Sequence, residues 1–373
     1  MNAGRWFAGL MSGTSLDGTD AVLVRFANPP GTGIAELHHR HRPFDADLRN
    51  ALLRLQTPGP DELTTASLAA NRVAEHYAET LLALCESCGI SASALAAIGA
   101  HGQTVRHQPE LGFTVQLLNG SLLAELTGTP VVCDLRSRDV AAGGQGAPLV
   151  PAFHAALWQS TEARVIANIG GMANLTRLHP DHAVTGFDCG PGNVLMDAWI
   201  DRCRGLAYDH NGEWAASGSV QDSLLRHLRE HPFLHRAPPK SCGREDFDLP
   251  WLLERLSSDP QRPEPLRDVD VQATLAEFTA STLADSVTTH AAGSHRLLVC
   301  GGGAHNAHLL ARLAAHLPDM VVETTADHGL APTHVEAAAF AWLAQQRLLA
   351  EPGNLPAVTG ARGPRVLGAL YSA

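Results

Sequence analysis

The chain has 373 residues, 45% of them hydrophobic and 17% charged, which indicates a folded protein large enough for two domains. Its net charge of −11 disfavours nucleic acid or an anionic membrane surface as the main partner. Lys240 is the only lysine, so the sequence lacks the Gly-Lys pair of a Walker A loop. Any phosphate group must therefore be held by backbone N–H groups, by arginine or by a metal ion.

The cysteines and the N-terminus give no sign of export. The spacing of the seven cysteines does not match a secreted disulfide framework. The first residues lack the apolar core of a signal peptide, and no run of about 18 apolar residues is present to span a membrane. We therefore predict a cytoplasmic protein with no membrane partner and no nucleic-acid partner.

A turn rich in glycine and hydroxyl residues separates the first two predicted strands, at residues 5–10 and 21–26. Backbone N–H groups and hydroxyls in such a turn can wrap a terminal phosphate, and Asp17 or Asp20 could hold Mg²⁺ directly or through water. The alternative is an ordinary tight hairpin, although a hairpin alone needs fewer residues of these types. The predicted phosphate-binding residues are Gly13, Thr14, Ser15, Leu16, Asp17, Gly18, Thr19 and Asp20.

Polar residues follow the next central strand. The predicted elements, in chain order, are a strand at 34–42, helices at 43–55 and 62–86, and a strand at 95–100. This last strand runs into His101 and Gln103, and polar groups at a strand's carboxyl end indicate a ligand crevice. An equally open alternative is that His101 only braces the turn. The histidine-rich run 38–42 has no acidic or cysteine companion beside it, so we interpret it as a solvated strand face.

Arginines and a glycine-rich run come next. The predicted elements before them are a strand at 115–116, a helix at 121–127 and a strand at 130–135. Arg136 and Asp139, close to Gln145 in the glycine-rich run 143–146, suit an anionic, hydroxyl-rich ligand such as an acidic sugar. Two alternatives stay open, a surface ion-pair cluster and a hinge formed by the glycines.

The middle of the chain repeats the N-terminal pattern. A predicted strand at 164–168 ends in Asn168 and enters a turn with Gly170 and Gly171, and the chain returns at 176–178. Such a repeat predicts two related halves, each with a hairpin that faces phosphate.

Asp188 follows a predicted strand at 183–187 and precedes a glycine-rich turn and a predicted helix at 194–200. A carboxylate between a strand end and a helix N-terminus is well placed for proton transfer beside phosphate. The alternative is that Asp188 only caps the helix. The turn and the start of the helix contain Gly190, Gly192 and Asn193.

A third glycine turn, Gly301, Gly302 and Gly303, follows a predicted strand at 296–300 and resembles a nucleotide-binding turn. A dinucleotide-binding unit is the rival interpretation, but Asn306 replaces its third glycine and the N-terminal hairpin stays unexplained. Glu336, at the start of the last helix, either complements the helix dipole or contacts substrate. The other predicted elements are helices at 220–228, 270–290, 307–317 and 335–350 and a strand at 320–323.

Together these motifs resemble those of the anhydro-N-acetylmuramic acid kinases, and the resemblance runs from residue 5 to residue 371. Residues 9–20 are similar to the signature of that family, which belongs to the sugar kinase, Hsp70 and actin superfamily. The other matching segments follow in order at 101–104, 143–151, 168–171, 186–188, 190–193 and 300–303.

The resemblance implies an α/β fold of two ribonuclease-H-like domains with an interdomain active-site cleft. We place the first domain at 1–135, with 358–373 returning to it, and the second at 136–357. The implied reaction consumes ATP and water, opens the ring of 1,6-anhydro-N-acetylmuramic acid and phosphorylates O6. Its products are ADP and N-acetylmuramic acid 6-phosphate, which serves the recycling of peptidoglycan sugars.

The resemblance also implies roles for individual residues. Asp188 is expected to be the general base, Mg²⁺ to assist, and the protein to be a homodimer. Residues expected to contact ATP are the N-terminal hairpin named above with Asn168, Gly170, Gly171, Gly190, Gly192, Asn193, Gly301, Gly302 and Gly303. Residues expected to contact the amino sugar are His101, Gln103, Arg136, Asp139, Gln145 and Glu336.

Three positions depart from the family pattern. Asn119 replaces an aspartate, which puts a sugar or metal contact there in doubt, and Cys189 and Cys242 replace threonines. A cysteine keeps the size of threonine but weakens any hydroxyl hydrogen bond. A non-catalytic relative that only binds nucleotide or sugar is the remaining alternative, and the intact Asp188 argues against it.

Overall fold

The computed structural model describes residues 4–13, 15–27, 33–243, 246–258 and 266–373. The chain forms two compact units, Met1–Trp158 with His334–Ala373, and Gln159–Thr333. The predicted boundaries at 135/136 and 357/358 differ from this division. The helix Val335–Leu349 belongs to the first unit because its backbone packs directly against the strand Trp6–Met11 of that unit. A Cβ on Gly9 would lie 1.8 Å from the carbonyl oxygen of Ala337.

The strands in the described part of the chain are β1 (Trp6–Met11), β2 (Gly18–Phe26), β3 (Ile34–Pro43), β4 (Leu95–Ala100), β5 (Gln103–Gln108), β6 (Phe113–Leu117), β7 (Val131–Cys133), β8 (Arg164–Ile169), β9 (Met172–His179), β10 (His182–Pro191), β11 (Arg296–Cys300), β12 (Val321–Thr324) and β13 (Ala369–Tyr371).

The α-helices in the same part are α1 (Ala46–Arg54), α2 (Glu62–Cys88), α3 (Gly120–Thr127), α4 (Ser137–Ala141), α5 (Val150–Trp158), α6 (Val194–Arg204), α7 (Glu213–Ala216), α8 (Asp222–Leu228), α9 (Leu249–Ser258), α10 (Asp268–His290), α11 (Ala307–His316), α12 (Val335–Leu349) and α13 (Pro356–Thr359). Among these described helices, none has both the length and the apolar character that a membrane crossing requires.

The two sheets share five strands with the same order and relative directions, and β13 adds a sixth strand to the first sheet. The first sheet has the order β13-β7-β4-β1-β2-β3, and the second has the order β10-β9-β8-β11-β12. In the first sheet, β1 pairs antiparallel with β2 on one side and parallel with β4 on the other. In the second sheet, β8 pairs antiparallel with β9 on one side and parallel with β11 on the other. This arrangement confirms the predicted repeat and the fold class, an α/β protein with two ribonuclease-H-like halves.

Each unit has its own apolar core. In the first, β4 is buried along its whole length, and α2 buries Val73, Tyr77, Leu81 and Leu84 as one helical face. In the second, α10 buries nearly every side chain from Asp270 to Ala284. A helix buried on all sides loses the usual polar face, which is why its periodicity is weak in the sequence.

One difference from the predicted elements bears directly on the site. The strand predicted at 183–187 continues to Pro191, because its pairing with β9 extends from His182 to the pair of Pro191 with Met172. Asp188 therefore lies within β10 rather than after its end. The register shifts between Asp188 and Gly190, which marks a bulge at Cys189.

Candidate functional site

The N-terminal turn joins β1 to β2, and Met11 pairs with Asp20 at its base. Leu16 is buried with a φ of 56°, and its N–H donates to the carbonyl of Gly13 at 3.3 Å. Thr19 is also fully buried, so its side chain cannot contact a phosphate outside the core, contrary to the prediction. Ser15 and Asp17 are exposed, and Thr14 lies outside the described residues. The turn is thus anchored inward by Leu16 and presents its polar groups outward.

Asp20 has partners on the neighbouring strand β3. Its Oδ1 accepts hydrogen bonds from His39 Nε2 at 2.8 Å and from His41 Nδ1 at 3.2 Å. The ring of His39 also stacks on His334, with centroids 4.1 Å apart. The premise that the histidine run has no acidic companion was therefore wrong, whereas the predicted strand face in contact with solvent agrees with the partly exposed side chains of β3. One companion, Asp20, comes from another strand through the antiparallel register that sets it opposite His41, and a second, Glu36, lies on β3 itself, 3.1 Å from Nε2 of His38.

The two acids of the turn are compatible with Mg²⁺, although they do not form a ready-made cage. In the part of the chain that the structure describes, no group of three His, Cys, Asp or Glu side chains could hold a metal ion. Mg²⁺ in nucleotide sites usually takes one or two carboxylates and completes its shell with water and phosphate oxygens. Among the described residues, Asp17 accepts from Ser15 through Oδ1, and Asp20 accepts from the two histidines through Oδ1. Their donor chemistry therefore fits the ion.

His101 and Gln103 brace this turn from inside the first unit. His101 contacts the carbonyl of Ser12 through Nδ1 at 3.1 Å, and Gln103 Nε2 donates to the carbonyl of Gly13 at 3.1 Å. Arg136 donates to Nε2 of His101 from Nε at 3.2 Å and from Nη2 at 3.0 Å. Burial and the neighbouring Arg136 charge lower the pKa of His101 to about 3, so the ring is neutral and carries its proton on Nδ1. Of the two interpretations of His101, these contacts favour the brace.

Arg136 remains partly exposed and interacts with the charge of Glu336. Burial lowers the pKa of the Arg136 guanidinium to about 10, while the negative charges of Glu336 and Asp139 oppose that effect. Its Nη1 donates to the carbonyl of Gly146 at 2.9 Å, so Arg136 also holds the glycine-rich run. Gln145 is exposed within that run, and Glu336 is half-buried. Arg136, Glu336 and Gln145 are thus all at least partly exposed to solvent. A ligand that binds to the first unit could therefore reach these side chains.

Asp139 lies inside the first unit, away from solvent. It is completely buried, and its carboxylate accepts hydrogen bonds from Gly146 N at 2.8 Å, Asn354 Nδ2 at 2.6 Å and Thr359 Oγ1 at 2.8 Å. The predicted sugar contact is therefore replaced by a structural role, because Asp139 ties the glycine-rich run to the C-terminal segment. Asn119 is likewise structural, since its side chain caps α3 by accepting from Leu122 N.

In the second unit, the Gly170–Gly171 turn and the start of α6 are bonded together. The N–H groups of Gly192 and Asn193 donate to the carbonyls of Gly171 and Gly170, both at 2.8 Å. A Cβ on Gly192 would lie 2.3 Å from the Gly170 oxygen, so this position requires glycine. These two N–H groups were predicted to bind phosphate, but the structure uses them to fix the turn. Gly171 faces open space, because a Cβ at this residue would have no heavy atom within 4 Å.

The turn Gly301–Gly303 packs against the end of β8. Gly301 has a φ of 80°, and a Cβ there would lie 2.4 Å from Oδ1 of Asn168. That oxygen is buried and has no hydrogen-bond partner among the described residues. Parallel pairing sets Asn168 beside Cys300, so the ends of two strands converge at this point. The predicted residues Asn168, Gly170, Gly171 and Gly301–Gly303 are thus gathered at one end of the second sheet.

Asp188 is held by the segment Lys240–Cys242, for which the sequence predicted no contact with this residue. Its N–H donates to the carbonyl of Lys240 at 3.1 Å, and its Oδ2 accepts from the N–H of Cys242 at 3.0 Å. Burial raises the pKa of Asp188 to about 6, and the Cys242 N–H and the Lys240 charge oppose that rise. A carboxylate with a pKa near the operating pH is suited to act as a general base.

The interpretation of Asp188 as a helix cap is not supported. Asn193 occupies the N-cap position of α6, and the hydrogen bond to the Asp188 carboxylate comes from Cys242 instead. The bond uses the backbone of Cys242, so the replacement of a threonine by cysteine leaves it intact. Two signals in the sequence marked this segment, the solitary lysine at position 240 and the departure from the family pattern at Cys242.

Comparison with known proteins adds an independent observation to this geometry. A family model described as anhydro-N-acetylmuramic acid kinase matches residues 5–373. The chain belongs to this family. The anhydro-N-acetylmuramic acid kinase of Thiobacillus denitrificans is 55% identical over 368 residues, which cover 98% of this chain and 97% of that protein. The enzyme of the same name from Cupriavidus pinatubonensis is 52% identical and covers 98% of both chains.

Solved structures show a much weaker similarity. The (R)-2-hydroxyglutaryl-CoA dehydratase component A of Acidaminococcus fermentans matches with a TM-score of 0.47 and 10% identity, over 91% of this chain and 96% of that one. A similarity at this level assigns no function. Membership of the anhydro-N-acetylmuramic acid kinase family therefore rests on the sequence, and it makes this protein a phosphotransferase.

Proposed function

We propose that this kinase opens 1,6-anhydro-N-acetylmuramic acid by hydrolysis and phosphorylates O6 with ATP, in the recycling of peptidoglycan sugars. The products are N-acetylmuramic acid 6-phosphate and ADP. The observation that carries the proposal is the carboxylate of Asp188, held by the N–H of Cys242 and given a pKa of about 6 by burial. Such a group can accept a proton from water near neutral pH.

In the proposed reaction, Asp188 removes a proton from a water molecule as the water oxygen attacks the anomeric carbon. The bond between that carbon and O6 breaks, and its electron pair passes to O6. O6 then attacks the γ-phosphorus, and the bond to the bridging oxygen breaks to release ADP. The proton taken by Asp188 returns to solvent. The sugar thereby gains a hydroxyl group from water at its anomeric carbon and a phosphoryl group on O6.

Several groups of the first unit are assigned to ATP and its ion. The hairpin Gly13–Asp20 supplies backbone N–H groups and, at Ser15, an exposed hydroxyl for phosphate, and Asp17 and Asp20 would hold Mg²⁺. When bound, Mg²⁺ neutralises charge on the phosphates. His101 and Gln103 support this hairpin through the carbonyls of Ser12 and Gly13.

In the second unit, we assign ATP contacts to the open Gly171 and to the Gly301–Gly303 turn. Both allow close approach of a ligand because they lack side chains. The buried, unpartnered Oδ1 of Asn168 supports a polar ligand group at this end of the sheet. Gly170, Gly190, Gly192 and Asn193 act indirectly, since they shape the turn and the bulge beside Asp188.

For the sugar, we assign Arg136, Gln145 and Glu336. The substrate carries a carboxylate and several hydroxyls, which suit a guanidinium, an amide and a second carboxylate. Cytoplasmic location is also part of the proposal, supported by the seven cysteines, all of which are free thiols. A homodimer remains a prediction, which light scattering of the purified protein can test.

The proposal is tested by the mass of the product formed from Mg-ATP, 1,6-anhydro-N-acetylmuramic acid and ¹⁸O-labelled water. We expect a product heavier by one phosphoryl group and one labelled water, with the label on the anomeric carbon. A folded protein that binds ATP but forms no product would support the alternative of a non-catalytic relative. Phosphorylation without uptake of label would contradict the assignment of Asp188 as the base that activates water.

A further inference from the structure

The segment Lys240–Cys242 contacts Asp188 at both its backbone and its side chain. The backbone N–H of Asp188 donates a hydrogen bond to the carbonyl oxygen of Lys240. The backbone N–H of Cys242 donates a hydrogen bond to Oδ2 of Asp188. Within the described residues, Oδ1 of Asp188 accepts no hydrogen bond from the protein. The orientation of the carboxylate therefore depends on where this short segment lies.

The segment has no regular secondary structure, so something else must hold it. The ammonium of Lys240 donates to the carbonyls of Phe233 at 3.3 Å and Leu234 at 3.2 Å. Both carbonyls belong to a 3-10 helix, Pro232–His235. The same ammonium lies 4.7 Å from the centre of the Phe233 ring, and Phe233 is fully buried in the core of the second unit. Lys240 thus connects the segment to a fixed part of the unit.

These contacts distinguish Lys240 from a lysine that binds substrate. An ammonium has three N–H donors, and two of them already point at protein carbonyls. The aromatic ring of Phe233 lies close enough to attract the charge. Burial lowers the pKa of the ammonium, as expected for a lysine drawn away from water.

We propose that Lys240 is a positioning residue for Asp188. It ties the segment Lys240–Cys242 to the 3-10 helix and so keeps the Cys242 N–H on the carboxylate. The catalytic consequence rests on the proposed function, whereas the structural link does not. The positive charge also acts on Asp188, since it opposes the effect of burial on that carboxyl group.

The first test compares Lys240→Met with Arg236→Met. Methionine keeps the length of the side chain and removes the charge and the donors. Arg236 is a matched control because its guanidinium lies 5.9 Å from the same Phe233 ring, on the same connection, while no hydrogen bond among the described residues joins it to Asp188. For Lys240→Met we expect kcat to fall about 100-fold, the size of effect caused by a misplacement of about 1 Å. We expect KM for ATP and for the sugar to change less than about 3-fold, and Arg236→Met to keep its kcat.

The split between kcat and KM decides the interpretation. Unchanged kcat in a folded Lys240→Met would overturn the proposal. A raised KM for the sugar with unchanged kcat would also overturn it, because Lys240 would then bind substrate. Lys240→Arg keeps the charge and several donors, and we expect it to recover most of the lost kcat. No recovery in a folded Lys240→Arg would count against anchoring by hydrogen bonds and charge.

A second test needs no catalytic activity and separates this inference from the proposed function. Hydrogen exchange, followed by mass spectrometry, reports on the N–H groups of Asp188 and Cys242, which the segment pairs with acceptors. We expect both to exchange faster in Lys240→Met and to stay protected in Arg236→Met. Equal protection in the two variants would overturn the structural link even if the protein proved inactive on the sugar.

The single lysine permits a third test without mutation. Reductive dimethylation keeps the charge of the ammonium but leaves one N–H donor for two carbonyls. We expect the treated protein to lose kcat. The Lys240→Met variant, treated identically, controls for methylation of the N-terminal amine and should not change further. An unchanged kcat after complete dimethylation of Lys240 would contradict the proposal that its hydrogen bonds to the carbonyls of Phe233 and Leu234 hold the segment in place.

Discussion

The backbone N–H of Cys242 donates a hydrogen bond to Oδ2 of Asp188 across 3.0 Å, although the two residues lie 54 positions apart in the chain. This bond fixes one carboxylate oxygen and leaves the other free to accept a proton. Because the donor is a backbone group, its position depends on the path of the chain and not on the side chain at position 242. The catalytic assignment of Asp188 can therefore be tested without disturbing its surroundings.

We expect Asp188→Asn to fold and bind ATP but to lose turnover by about 10²–10⁴-fold, because an amide cannot act as the base. The asparagine oxygen can still accept the bond from Cys242. Turnover is measured as ADP release, and ATP affinity by calorimetry. Asp181→Asn, in the exposed turn between β9 and β10, is the matched control and should behave like the unaltered protein. Normal turnover of Asp188→Asn would contradict the assignment of Asp188 as the general base.

The activity should fall on the acidic side with a midpoint near pH 6. Burial raises the pKa of Asp188 to about 6, and only the ionised carboxylate can accept a proton. Below that pH, kcat/KM should drop about tenfold per unit, and above it the profile should level off. The measurement is kcat/KM between about pH 4.5 and about pH 8, with circular dichroism at each pH to check that the protein is folded. A midpoint near 4 would show that the carboxyl group is not shielded from water as the structure indicates.

Gly192→Ala should destabilise the protein, because the new Cβ would lie 2.3 Å from the carbonyl oxygen of Gly170. Overpacking of this kind costs about 1–3 kcal/mol. Gly171→Ala is the matched control, since its Cβ would meet no heavy atom within 4 Å. The free energy of unfolding is obtained from urea titration. Equal stability of the two variants would contradict the close packing of the turn on the start of α6.

Asp139→Asn should lower stability rather than sugar affinity. The buried carboxylate accepts from Asn354 and Thr359 at Oδ1 and from Gly146 at Oδ2. Asparagine replaces one of these oxygens with an amide nitrogen that cannot accept, so at least one of the bonds is lost. The expected loss is about 1–3 kcal/mol in the free energy of unfolding. Asp134→Asn, at an exposed position, is the control and should change stability by less than about 0.5 kcal/mol. A raised KM for the sugar at unchanged stability would restore the original prediction of a sugar contact.

Asp197→Asn should stabilise the protein in alkaline solution. Burial and the negative charge of Asp209 raise the pKa of Asp197 to about 7. The unfolded chain releases this proton near pH 4 and the folded chain near pH 7, so the contribution of Asp197 to stability falls as the pH rises between those values. The asparagine variant should match the unaltered protein at pH 4 and exceed it in melting temperature at pH 8. The same difference at both values would show that the carboxyl group does not titrate as the structure indicates.

Much of the fold could be predicted from the sequence because its signals are local. Apolar runs ending in glycine indicated the central strands β1, β4, β8 and β11, and helical periodicity indicated α2. The repeated pattern of strand, glycine turn and strand indicated two related halves. The predicted ends of the elements were less accurate than their positions. Strand β10, for example, continues through Asp188 because its pairing with β9 continues to Pro191.

The sequence by itself determined the family, the two-part fold and the candidate base, since each depends on residues close together in the chain. Tertiary structure alone decided which polar groups serve the fold. It buried Asp139, paired Asp20 with His39 across two strands, and brought Lys240 and Cys242 to Asp188. The physical reason is that burial and hydrogen-bond partners depend on distances between segments remote in sequence, and the spacing of residues along the chain does not contain those distances.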